Sequence, residues 1–368
     1  MLDTAAAAAA DLIERDGVLV RPNGDRYIAF RHHILFDFAA SRLYLDPFDL
    51  GHSVTALSSQ EGAALGLAQA LGFALDEAWE QGGEGRSAFW RVAGTPMESA
   101  ETDPIATMVA ARLGSELPQT RTDIAGLLEL LGGADEREVG RRIVRHLLGA
   151  LAVRAEDNPP LIVEPWTALA TGLAERLGSA DMTLGGALLL LMHVLIERLD
   201  APGADPRALG EAARRLLDAS LDFGADKHVP LGIEYVTRLF ATDPPASRTT
   251  LSRLLQPERL ATHAADDMHR LARGAAEIET ADPAFLTDIY RVIFNYRVTN
   301  QSSVPLGSSQ ILALTTNPRQ NYEMAHYGLK EHFPAFLAGH PKHAVDALGH
   351  RLIKRIQIRA DASLTSAR

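Results

Sequence analysis

The chain has 368 residues, 46% of them hydrophobic and 23% charged, with 47 acidic against 36 basic side chains and a formal charge of −11. A composition this apolar rules out wholesale disorder, and the acidic balance speaks against a chain that coats nucleic acid, which needs a basic footprint. Cysteine is absent, so disulfides, zinc ribbons, iron–sulfur clusters and a thiolate nucleophile are excluded.

In chain order, Asp3 and Thr4 are placed to cap a helix running through Ala5–Ala10 to Leu12 and Ile13, broken at Asp16-Gly17. The acids Asp11, Glu14 and Asp16 stand where a signal peptide has basic and apolar residues. The longest apolar run, Leu184 to Ile196, is interrupted by two glycines and a histidine and is short for a bilayer span. A cytoplasmic protein without a membrane partner is the expectation.

Two β-prone runs follow, Val18–Arg21 and Arg26–Phe30, joined by Pro22-Asn23-Gly24-Asp25. Asn-Gly favours a hairpin because both positions tolerate positive φ. The next helix is expected from His33 to Leu45, stopped at Asp46-Pro47, burying Ile34, Leu35, Phe38, Ala39 and Ala40. Helix, hairpin and helix over residues 1–48 make the second half of a winged-helix module.

From residue 49 to 368 apolar residues recur at helical spacing. The expected helices are Ile105–Leu113, Ile124–Leu131, Val139–Val153, Trp166–Leu177, Leu184–Leu199, Ala208–Leu221, Leu231–Phe240, Leu251–Leu255, Leu260–Ala275, Phe285–Phe294, Tyr322–Leu337 and Ala344–Ile358. Thr122-Asp123 and Asp282-Pro283 read as caps. The weakest stretch for regular structure is 80–104, rich in glycine and proline. Paired helices with short polar breaks describe a mainly α protein, an irregular HEAT- or armadillo-like solenoid, with a compact helical bundle as the alternative.

Phe30, His32, Leu35, Phe38, Ala39 and Ala40 spell F-x-H-x-x-L-x-x-F-A-A across the strand-to-helix junction. This pattern resembles the winged-helix end of STAND-type P-loop ATPases, the NACHT and apoptotic-ATPase relatives. The resemblance implies that His32 contacts the β-phosphate of bound ADP on an ATPase core. It also implies that the helical array is a sensor for a protein ligand, with anti-phage defence a frequent role of bacterial members. It covers only residues 1–48 of the chain. The departure from the family is large, since none of the four lysines (227, 330, 342, 354) follows a glycine and G-x-x-x-x-G-K-[ST] is missing. No catalytic residue and no cofactor are therefore expected in this chain; ATP or ADP enters only if it joins an ATPase domain. The partners expected are a protein ligand or an upstream ATPase domain.

Other constellations carry less. His326, His332, His340, His343 and His350 enrich the C-terminal stretch, with His340 and His343 one helical turn apart and Asp346 nearby. His263 and Asp267, with Asp266 and His269 beside them, share a helix face at four-residue spacing. These four, His263, Asp267, His340 and His343, are weak metal candidates and the basis of a runner-up reading, a helical metal-dependent hydrolase. A plain scaffold solenoid is a third. The polar stretch from Asn300 to Asn317 has the composition of a binding loop or a long turn. The last helix is basic, with Lys342, Arg351, Lys354, Arg355 and Arg359. The sequence has neither G-x-S-x-G nor H-E-x-x-H.

Overall fold

The computed structural model describes residues 17–20, 29–43, 63–81, 86–98, 104–133, 137–154, 161–178, 182–295 and 318–349, with a few isolated positions besides. The described residues are mainly α-helical, and the one sheet among them has two strands. The expected helix at residues 3–13, the Pro22–Asp25 turn, the 300–317 stretch and the helix end beyond 349 lie outside these residues. The chain divides into two compact units, Met1–Leu169 and Ala170–Arg368.

In the first unit β1 (Leu19–Val20) pairs antiparallel with β2 (Ala29–Phe30), Leu19 opposite Phe30 and Val20 opposite Ala29. Arg31 N–H donates to the Val18 carbonyl at 2.9 Å, extending the ladder. Gly17 enters the strand at φ +75°, a conformation that favours glycine. Helix α1 (His33–Leu43) starts where the His32 carbonyl accepts from Leu35 and Phe36 N–H. It packs on α2 (Ala63–Gln81), where Arg42 meets Glu77 at 2.6 Å and Phe38 meets Phe73 edge-on.

The stretch 80–104, expected to be irregular, instead contains α3 (Ser87–Glu98). Phe89, Trp90, Ala93 and Met97 are all buried at helical spacing, and that burial overrides Gly94 and Pro96. Gly83 has φ +61°, and Arg86, at φ 53°, makes the turn into the helix. Its guanidinium lies 4.7 Å over the Trp79 ring and donates to the Trp79 carbonyl, while Nε lies 3.4 Å from Asp123 Oδ1. Trp79, Phe89 and Trp90 pack edge to face, and Trp90 Nε1 donates to the Asp123 carbonyl at 2.7 Å.

Helix α4 (Pro104–Glu116) follows, with proline in its first turn. The next cap falls at Thr120, two residues before the expected one. Asp123 accepts from the Gln119 and Thr120 N–H groups and from the Thr120 hydroxyl, at 3.1, 2.9 and 3.0 Å. A 3₁₀ turn, Arg121–Ile124, leads into α5 (Ala125–Gly132), then α6 (Arg137–Arg154) and α7 (Glu164–Glu175). α2 packs on α4 and α4 on α6, while α3 touches α2, α4, α5 and α6.

The second unit contains α8 (Thr183–Ile196), α9 (Pro206–Asp222), α10 (Val229–Arg238) and α11 (Pro244–Ser252). These are followed by α12 (Pro257–Arg273), α13 (Ala275–Ala281), α14 (Pro283–Asn295), α15 (Pro318–Gly339) and α16 over 341–349. Asp205, Asp243 and Asp282 cap α9, α11 and α14 through Ala208, Ala246 and Phe285 N–H, each before a proline. The apolar run expected as helix Leu251–Leu255 is the end of α11 plus a 3₁₀ turn, Arg253–Leu255. The Asp243 cap and two prolines start that helix earlier than its hydrophobic pattern suggests.

In this unit α9 packs on α10 and α11, α8 on α10, α10 on α12 and α12 on α15. Ion pairs join segments 31 to 41 residues apart. Asp222–Arg253 spans 31 residues, Asp226–Arg259 33, Glu234–Arg270 36 and Glu197–Arg238 41. Two buried tyrosines add the same kind of bond, Tyr235 Oη to the Leu189 carbonyl and Tyr290 Oη to that of Leu329, both at 3.2 Å. Burial pushes the Tyr235 hydroxyl up to about 12, so it stays a donor.

Candidate functional site

The hairpin and α1 set the first candidate. β2 ends at Phe30, and the turn at Arg31-His32 delivers His32 to the strand-to-helix junction. His32 is exposed, and its ring has no hydrogen bond or ion pair among the described residues. The helix after it buries less than its sequence suggests. Ala40 and Ser41 are buried, but Ile34 is 62% exposed, Phe36 44%, Phe38 47% and Leu43 78%. The expectation that Ile34 and Phe38 are core residues is thus corrected. Among the described residues, α1 packs mainly against α2 and β2. Phe30 and Phe36 still meet edge to face at 6.1 Å, which ties the helix start to the strand.

The His263 constellation does not assemble as a metal pair. Asp267, 2% exposed, is held by a two-pronged contact from Arg259, Nε to Oδ2 at 2.7 Å and Nη2 to Oδ1 at 3.2 Å. Burial pushes the Asp267 carboxyl up while the guanidinium pulls it back, and Arg259 remains a cation between two carboxylates, Asp267 and Asp226. His263 turns the other way, Nδ1 2.6 Å from the Thr262 hydroxyl and Nε2 3.5 Å from Asp226 Oδ2. Four-residue spacing put both residues on one face, but Arg259, about two turns upstream of Asp267, claimed the carboxylate.

The C-terminal histidines are also split. His332 Nε2 approaches Glu279 Oε2 at 2.7 Å, off the line of a hydrogen bond, and His340 Nε2 lies 3.6 Å from Glu279 Oε1. His343 faces His340 with ring centres 6.3 Å apart, and His326 lies against Phe294. No group of three His or acidic residues among the described residues is arranged to hold a metal ion, and His350 lies outside them. Glu279 from α13 is what draws α15 down, a contact between elements that the histidine spacing alone does not reveal.

Two features escaped the sequence reading. A cleft of about 150 Å³ opens where α10 and α12 end, lined by Glu234, Thr237, Arg238, Arg270, Arg273 and Glu277 over Gly274. Arg270 pairs with Glu234 and Arg238 with Glu197, so the arginines there also complement the negative ends of the two helices. The second is His228, 4% exposed, whose Nδ1 has no hydrogen-bond partner. A histidine beside Val229-Pro230 gives no hint in sequence of that burial.

No helix of the described residues is long and apolar enough to cross a membrane. No family model, curated protein or solved structure matches the chain.

Proposed function

We propose that this chain is a non-catalytic recognition module, an irregular HEAT-like helical array carrying the end of a winged helix, as in the STAND-type ATPases it resembles. The observation that carries this reading is the exposed His32, without a partner among the described residues, beside the exposed apolar face of α1. A junction histidine and large apolar side chains left to solvent on one short helix are what remains when a module awaits its other half. The packing of helices on partners one to three places along the chain supports the repeat reading, because contacts in a solenoid run only to near neighbours. In this reading the partner at the α1 edge is a P-loop ATPase core holding ADP, and the array receives a protein ligand, as in anti-phage defence. The hydrolase alternative is not carried forward, because Arg259 occupies the carboxylate that it needs.

The test is a nucleotide-retention assay on the purified chain, alone and co-expressed with the product of the upstream reading frame, together with metal analysis. The expected result is no stoichiometric metal, ADP retained only by the complex, and weaker retention after His32→Ala. Stoichiometric zinc, manganese or iron in the active chain, or a complex indifferent to His32→Ala, contradicts the proposal.

A further inference from the structure

His228 sits at the N-cap of α10, and its ring is seated against the first turn of α8. The fit depends on glycine. A Cβ at Gly185 would stand 2.8 Å from His228 Nδ1 and 3.0 Å from Cε1, and one at Gly186 would stand 3.9 Å from Nε2. Met182 Cε closes the notch beside Gly185. Nδ1 is buried without a hydrogen-bond partner, a condition that costs free energy and is rare in native proteins.

We propose that the α8–α10 seam is an acid-sensitive latch, closed by the neutral imidazole of His228 in the Gly185–Gly186 notch and released when that imidazole takes up a proton. Nothing in the described surroundings welcomes the added charge. Lys227 beside it is of the same sign, and Gly185, Gly186 and Met182 border the ring. The nearest carboxylate in sequence, Asp226, is committed to Arg259 and His263. The N-terminus of α10 carries a positive partial charge and adds to the repulsion. Burial first, and Lys227 second, hold the imidazole below its ordinary value.

The sign follows from linkage. An imidazole whose folded-state pKa is depressed takes up its proton more readily in the open state. Closure is therefore fully favoured above the ordinary value of about 6.5 and weakens as pH falls below it towards the depressed one. Across that window each pH unit raises the open population by up to about tenfold.

The test combines two measurements on the full chain. The first is an NMR titration of the His228 ring, where a pKa below the ordinary imidazole value is expected and one at or above it overturns the latch. The second is amide exchange over 187–196 and 229–238 at about pH 7.5 and about pH 5.5, on either side of the ordinary imidazole value, corrected for intrinsic rates. Opening at this seam is expected to rise several-fold at the lower pH in the parent chain and to stay flat in His228→Asn. An equal rise in both chains, or no rise in the parent, contradicts the proposal.

Discussion

Helices α1, of 11 residues, and α12, of 17, end in opposite situations. α12 is enclosed by α10, α13 and α15, buries Met268 and Leu271, and ties Asp226, Glu234 and Asp267 through Arg259 and Arg270. α1 has α2 and β2 as described neighbours and leaves Ile34 and Leu43 mostly in solvent and Phe36 and Phe38 nearly half so. The contrast teaches where the chain commits its side chains. Arginine is spent on fixing helix-to-helix register in the second unit, while the hairpin edge of the first keeps its apolar and imidazole groups unspent. Most of the register pairs are exposed and contribute about 0–1 kcal/mol each, so their role is geometric more than energetic. Arg259–Asp267 is the exception, since it joins two residues of α12 itself and both side chains are largely buried.

The comparison is sharpened most by breaking that exception. Arg259→Met strands a buried carboxylate and is expected to cost about 3–5 kcal/mol in urea unfolding. Combining it with Asp267→Asn should recover much of the loss. A single variant within about 0.5 kcal/mol of the parent would show that the buried carboxylate does not depend on Arg259.

Gly185→Ala is next. The new methyl would stand 2.8 Å from His228 Nδ1 and is expected to cost about 1–3 kcal/mol by overpacking. Adding His228→Ser should relieve it, and an unchanged melting temperature for the single variant would show that the notch is not tight.

In the first unit, Asp123→Ala removes the cap of the 3₁₀ turn, and a loss of about 1 kcal/mol is expected. Burial raises the Asp123 carboxyl, but the bonds from Thr120, Gln119 and Arg86 outweigh it and hold the value below the ordinary one. Its stabilisation is therefore complete above about pH 4 and is lost as pH falls through the depressed value. Acid titration of the parent and Asp123→Ala chains should converge at low pH. A gap that persists there would assign the loss to packing instead.

The smallest effect belongs to the exposed edge. His32→Ala is expected to leave stability within about 0.5 kcal/mol, since the ring touches no described partner. A larger loss would mean that the imidazole has a structural role in this chain.

The helices were largely legible in the sequence because apolar periodicity and Asp-Pro caps are local signals, as at Asp282-Pro283. α3 was not, because Gly94 and Pro96 hid the spacing of Phe89, Trp90, Ala93 and Met97, and only tertiary burial of the two aromatics decides that helix. For α1 the periodicity was read correctly as helix and wrongly as core, since a pattern says which residues share a face but not whether a neighbour covers it. The same limit applied to His263 and Asp267, whose shared face was visible while Arg259's claim on the carboxylate was not. His228 was silent, because its orphaned nitrogen exists only through a notch more than 40 residues earlier in the chain.

The central claim, that stability is concentrated in the helix seams of the second unit while the hairpin–α1 edge is left for a partner, is tested most directly by native-state amide exchange on the full chain. The expected result is that α12 amides exchange only through openings close to global unfolding, and α1 amides through much smaller ones. Protection of α1 equal to that of α12 would contradict it.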